Sequence, residues 1–280
     1  MQTQKTLLLI FLLGLFSGMQ AQDVPPGFKN WMGTGLTIRV SPNTSFRVSQ
    51  LTALNTGPYS YQFTQGNVSM SRSLSERWNM DVGMARSWFQ QKDGIKTFNR
   101  LFAEGDYKLK LGRVSMKQSL RGEWHFPQLR KYRFRFIYTN KVSMKFKQLP
   151  GRPQPFIRQQ LHYYLAGRPV KYYAEGESEG ESEFGDEEEF EEEGEFGERE
   201  LIAEQAANGL HRYRVFVGVR LRLAKRLHGS VFYMWQREFN TPFFPERHLN
   251  VPNRSGTKTQ APFNTYSMVG FSLNYTLKLY

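Results

Sequence analysis

The sequence predicts an all-β fold: a transmembrane antiparallel β-barrel, with twelve strands expected and ten as the alternative. Three observations carry this. The chain opens like an exported protein, its apolar residues recur with a period of two, and no later apolar run approaches the length of a membrane helix.

The N-terminus comes first. Lys5 precedes the apolar run Leu7 to Phe16, and Met19-Gln20-Ala21-Gln22 follows. A charged start, a short apolar centre and a small-residue cleavage zone form the pattern of a secretory signal peptide. Ten apolar residues are too few to span a bilayer as a helix, which takes about 20. The expected organisation is a signal peptide over 1–21 and a barrel over 22–280, placed in the outer membrane of a Gram-negative cell after Sec export. The absence of cysteine removes a disulfide framework, thiolate metal sites and lipid attachment to a cysteine.

Alternation supplies the strands. From His211 to Ala224, Tyr213, Val215, Val217, Val219, Leu221 and Leu223 hold one parity, while Arg212, Arg214, Phe216, Gly218, Arg220 and Arg222 hold the other. A strand sends alternate side chains to opposite faces, so one face is apolar and the other carries arginine. The same period marks Leu36–Val40, Trp78–Ala85, Tyr107–Leu111, Tyr132–Thr139, Ser230–Gln236 and Val269–Leu279. Eleven segments alternate clearly, and bacterial single-chain barrels close with an even number. The undecided region is 150–168, where Phe156 to Leu165 reads as a further strand. Tight connections at Ser41–Thr44, Ser75-Glu76, Leu111–Arg113 and Lys225–Leu227 alternate with longer ones near 55–60, 91–95, 125–129, 178–209 and 240–263. Short turns on one rim and long loops on the other are the habit of outer-membrane barrels. Aromatic residues make up 15% of the chain, as interfacial girdles require, although an aromatic-rich soluble β-protein shares that composition.

Charge is divided along the chain. Of 25 acidic residues, 16 fall between Glu175 and Glu204 against a single basic residue, Arg199, leaving 37 basic and 9 acidic side chains elsewhere. A uniformly basic surface would point to nucleic acid or an anionic membrane. The strand pattern puts these charges on alternate faces instead, so no nucleic-acid partner is expected. Arg133, Arg135, Arg212, Arg214, Arg220 and Arg222 are the expected basic ladder of the lumen. They would pair across it with Asp81, Glu104, Glu123 and Glu238, or line an anion-favouring pore. Nine acids cannot neutralise 37 bases, and buried charge must be compensated, which argues for a partly hydrated lumen.

The acidic loop, 175–204, is low-complexity, with Glu-Gly-Glu-Ser twice in tandem from Glu175 to Ser182. Its density of like charge predicts a solvated, extended outer loop. Two other readings stand beside that one. The clustered carboxylates of Glu187, Glu188, Glu189, Glu191, Glu192 and Glu193 would attract divalent cations, without the spacing of an EF-hand. Alternatively the segment is a tethered plug, its acids pairing with the inward arginines.

Catalytic chemistry finds little support. The histidines are His125, His162, His211, His228 and His248, and Ser230 lies two residues after His228, so those two share one face of a strand. No histidine pair has metal-ligand spacing, and there is no phosphate-binding glycine loop or nucleophile elbow. No catalytic residue, metal or cofactor is expected.

Several motifs come in a telling order: Leu120-Arg121-Gly122-Glu123-Trp124, Tyr132 to Tyr138, His211 to Gly218, Phe232 to Gln236, and Val269 to Tyr275. The chain from about Trp31 onward resembles the uncharacterised Bacteroidetes-type outer-membrane barrels catalogued as domain of unknown function 2490. The acidic insertion and the length of 141–169 depart from that pattern. The resemblance implies a barrel and a lipid membrane, with no established activity to carry over. Tyr280 resembles the terminal aromatic read by barrel-assembly machinery, although the apolar parity runs through Leu279. The role expected is structural or passive permeation. A lipid-modifying outer-membrane enzyme and a secreted soluble β-protein are the alternatives.

Overall fold

The computed structural model describes residues 29–56, 59–91, 94–129, 132–167, 170–173, 201–205, 208–238, 251–252, 259–260 and 266–280. The expected signal peptide lies outside the described residues. So does the acidic loop apart from its last few positions, including all six glutamates proposed for cations.

All the described secondary structure is β. The strands are β1 (Lys29–Arg39), β2 (Thr44–Thr56), β3 (Tyr59–Ser73), β4 (Trp78–Gln91), β5 (Gly94–Leu111), β6 (Val114–Leu129), β7 (Tyr132–Met144) and β8 (Gln154–Leu165). A short pair follows, β9 (Val170–Tyr173) and β10 (Leu201–Gln205), then β11 (Gly209–Arg222) and β12 (Leu227–Glu238). A second short pair, β13 (Val251–Pro252) and β14 (Thr259–Gln260), precedes β15 (Tyr266–Lys278). The two short pairs form separate ladders, and the other 11 strands close one barrel in the order β1-β15-β12-β11-β8-β7-β6-β5-β4-β3-β2.

The count corrects the expectation of twelve or ten strands. Every sequential pair in the barrel is antiparallel, so direction reverses at each step. With an odd number, the first and last strands run the same way, and the ladder that closes the barrel is parallel, from Lys29↔Met268 to Arg39↔Lys278. Phe156 to Leu165 does form a strand, as β8.

The connections also differ from expectation. The turns at 40–43, 74–77, 112–113, 145–153 and 223–226 share one rim. At the opposite rim only the stretches between β8 and β11 and between β12 and β15 are long. Near 55–60, 91–95 and 125–129, where loops are expected, the described residues are strand. Pairing runs on to Thr56↔Tyr59, Gln91↔Gly94 and Leu129↔Tyr132, because the backbone groups there continue the hairpin ladders.

Side chains are distributed inside out. Leu36, Val48, Val68, Met84 and Leu101 stand in register across β1 to β5 and point outward, 38–51% exposed. His162 and His211 are 0% exposed, and Glu123 and Glu238 only 4% and 3%. The outward tryptophans stand at two heights. Trp78 packs against Tyr107 at the turn rim with ring centroids 5.0 Å apart, while Trp88, Trp124 and Trp235 sit toward the other rim. Trp78 and Trp88 are ten residues apart on β4. At about 3.3 Å per residue and a tilt near 40°, that spacing is about 25 Å along the barrel axis.

Part of the lumen is a packed apolar core of Trp31, Ala53, Phe156, Phe216, Met234 and Met268. Glycine makes room for it. Phe232 stands between Gly218 and Gly270 in register, and a Cβ on Gly218 would meet Phe156 Cζ at 2.9 Å.

Candidate functional site: a charged and aromatic network in the lumen

The inward parity of β5 to β8, β11 and β12 builds a continuous polar arc in the half of the lumen nearer the long connections. Glu123 of β6 is its anchor. Arg135 stands opposite it in register on β7 and donates to Glu123 Oε2 from Nε at 2.9 Å and from Nη2 at 2.5 Å. Arg100 and His125 approach the same oxygen at 3.6 and 3.3 Å, and Arg121 reaches Oε1 at 3.7 Å. One buried carboxylate thus gathers three guanidinium groups, and without them its charge would be strongly disfavoured there.

Aromatic rings carry the arc onward. Arg135 Nη1 donates to Tyr132 Oη at 2.9 Å. The Tyr132 ring lies 4.3 Å from that of Tyr164 on β8, which lies 5.3 Å from the ring of His211. Tyr164 Oη donates to Glu238 Oε1 at 3.3 Å, and Arg212 Nη2 reaches the same oxygen at 3.2 Å. Arg214 donates from Nε to Gln236 Oε1 at 2.6 Å and lies 5.8 Å from the Trp31 ring. His162, fully buried within this region, has neither ring nitrogen hydrogen-bonded among the described residues.

A second tier lies nearer the turn rim. Arg121 pairs with its register partner Glu104 at 2.5 Å, and Lys117 pairs with Asp106 at 2.7 Å. Other cations in this half have no carboxylate partner among the described residues. Arg158 sits 3.6 Å from the Phe216 ring centroid and Lys141 4.3 Å from that of Phe156. Arg47 donates to Asn274 Oδ1 at 3.0 Å and, like Arg220, is exposed. The turn-side half is therefore a basic vestibule, and the opposite half is filled.

Of the six arginines expected on the lumen, Arg135, Arg212 and Arg214 join the arc. Arg220 lies in the vestibule, and Arg222 donates to the turn carbonyls of Ala224 and Lys225, both at 3.4 Å. Arg133 departs from the ladder: it is exposed, with its guanidinium 5.7 Å from the Phe134 ring. The cause is local. The β6–β7 register shifts between Trp124 and Leu129, which turns Tyr132 into the lumen against the parity of its strand and leaves Arg133 outside the network. The ion pairs also run between neighbouring strands rather than across the lumen, and among the described residues Asp81 has no ion pair.

Tyr132, Tyr164, Arg100 and Arg158 were not singled out by the sequence. The available signal was a parity shared by His162 and Tyr164 on one side and by Glu123 and His125 on another. The His228/Ser230 pair does not form a nucleophile and base. Ser230 Oγ is engaged with Ser272 Oγ at 2.7 Å, and His228 Nδ1 has no partner among the described residues. No group of three or more His, Cys, Asp or Glu among the described residues is arranged to hold a metal ion.

Compared with known proteins, the chain matches no family model, no curated protein and no solved structure. Its function is therefore argued from the barrel itself. Chemically, the arc cross-links six strands by charge-assisted hydrogen bonds and stacked rings, and the vestibule presents unpaired positive charge to solvent.

Proposed function

We propose that the chain is an outer-membrane β-barrel of the kind catalogued as domain of unknown function 2490, and that its role in the membrane is structural. The observation that carries this is the inside-out surface: large apolar side chains exposed in register on the outer wall, with histidine, glutamate and arginine buried within. Water would disfavour that arrangement, whereas hydrocarbon favours it, since a closed barrel leaves no backbone group unpaired. The aromatic spacing of about 25 Å supports the same reading. The filled half of the lumen supports a structural role over an open channel.

A second reading, passive permeation of small anions, is favoured by the basic vestibule with its exposed Arg47 and Arg220. Cell fractionation followed by planar-bilayer recording tests both. Recovery with the outer membrane and a quiet bilayer are expected from the folded protein. Recovery in a soluble fraction ends the membrane reading. Sustained anion-selective conductance replaces the structural role with permeation.

A further inference from the structure

The outer wall is not apolar throughout. One register row above Leu36–Val48–Val68–Met84–Leu101, five strands bring together Thr34, Gln50, Gly66, Arg86 and Asn99. The next row up is Met32, Thr52, Thr64, Trp88 and Thr97. These rows form the wall of an outward-facing groove of about 780 Å³ that includes Arg86, Gln50 and Trp88 above the apolar floor of Leu36, Val48 and Met84.

Arg86 is the unusual member. It is exposed on the wall, its guanidinium lies 5.8 Å from the Trp88 ring, and no carboxylate pairs with it among the described residues. No acidic residue occupies the outward parity of β1 to β5. Gly66 deepens the notch beside it, because the nearest atoms to a Cβ there are those of the Trp88 ring, at 3.6 and 3.7 Å. The groove therefore sits one row below an interfacial tryptophan. A cation facing lipid one row below the interface is favoured by an anion beside it and by reaching the headgroup level, and a lipid phosphate at that level supplies both. Hydrocarbon chains fit the row beneath, and threonine and glutamine flank the cation as further hydrogen-bonding groups.

The geometry points to a binding site for one anionic phospholipid, its phosphate on Arg86 with no ammonium of its own beside it, and its acyl chains along the apolar row. This rests on the membrane reading above. The occupant is a lipid rather than free phosphate because the groove continues downward into the apolar row. Guanidinium matches phosphate oxygens with two parallel N–H donors, which an ammonium does not reproduce.

The test uses the full chain folded into phosphatidylcholine vesicles containing phosphatidylglycerol and, in a parallel sample, diacylglycerol in its place. Insertion is read first, by protease resistance of the barrel, and the extracted protein is then examined by native mass spectrometry. The wild type is expected to retain one phosphatidylglycerol. Arg86→Gln and Gly66→Leu should each retain on the order of tenfold less, and Arg86→Lys should retain more than Arg86→Gln. Gly66→Leu fills the notch while leaving the arginine in place. Equal retention by all variants, equal retention of phosphate-free diacylglycerol, or displacement of the lipid by inorganic phosphate overturns the site. An inserted barrel that retains no lipid overturns the lipid site alone. A chain that does not insert overturns the membrane reading and the site with it.

Discussion

Arg135 and Glu123 face each other in register on neighbouring strands, and two guanidinium nitrogens of Arg135 donate to a single oxygen of Glu123. The pair is buried, so its two halves are unequal in consequence when one is removed. Arg135→Ala should lower unfolding stability by about 1.5–3 kcal/mol, since it removes both hydrogen bonds to a buried carboxylate that Arg100 and Arg121 still approach. Replacing both residues, with Glu123→Gln, should cost less than the two single changes together. Urea titration of barrels folded in vesicles checks this, and strict additivity would remove the pair from the stabilising network.

Phe232 occupies the space that side chains at Gly218 and Gly270 would need. Gly270→Ala should destabilise the barrel by roughly 1–3 kcal/mol through displacement of the ring. Combining it with Phe232→Leu should recover part of the loss, an effect that a backbone preference at residue 270 would not produce. The same titration measures it.

The outer wall separates hydrocarbon from water as the surrounding medium. Leu273 is 48% exposed on the outward parity of β15. Leu273→Arg should cost about 2–4 kcal/mol when the protein unfolds from a bilayer. On a surface facing water the same change should fall within about 0.5 kcal/mol.

The closing ladder is open to direct test because the chain has no cysteine. Gly33 and Ser272 are partners across β1 and β15, and a Cβ on Gly33 would lie 3.3 Å from Ser272 Cβ. Thr37 and Thr276 are partners farther along the same ladder. Cysteines at either pair should form a disulfide on mild oxidation, visible as a gel mobility shift. Both pairs can form only if the strands run in the same direction. Bonding at one pair alone would contradict the parallel register.

Faces are legible in the sequence wherever a two-residue period decides them. Val215, Val217 and Val219 turn outward and Arg212 and Arg214 inward as their parity requires, because a pleat offers only two directions. β8 was harder to read. Its inward set, with Phe156, Arg158 and Tyr164, and its outward set, with Ile157, Gln159 and Tyr163, both mix polar and apolar residues, so the period carries little contrast. The number of strands is a property of the closed ring, not of any window of sequence, and evenness was an expectation taken from other barrels. Tyr132 escaped for a different reason: an irregular register upstream moves it to the face opposite its parity. The arc was legible only in pieces, since Glu123, Arg135 and Arg212 were singled out but the tyrosines that join them were not. The row containing Arg86 was invisible because its members meet only through pairings between strands.

The parallel ladder has a consequence for assembly. Every other barrel strand pairs with its nearest barrel neighbour in the chain, and those hairpins can form while the ends are far apart. Lys29 meets Met268 only after the whole sheet has curled, so the largest loop-closure entropy falls on the last ladder. Until then β1 and β15 are both unpaired edges, each a template for another copy of the chain. The lifetime of that open sheet, set by a single ladder, governs the competition between a closed monomer and edge-to-edge polymers.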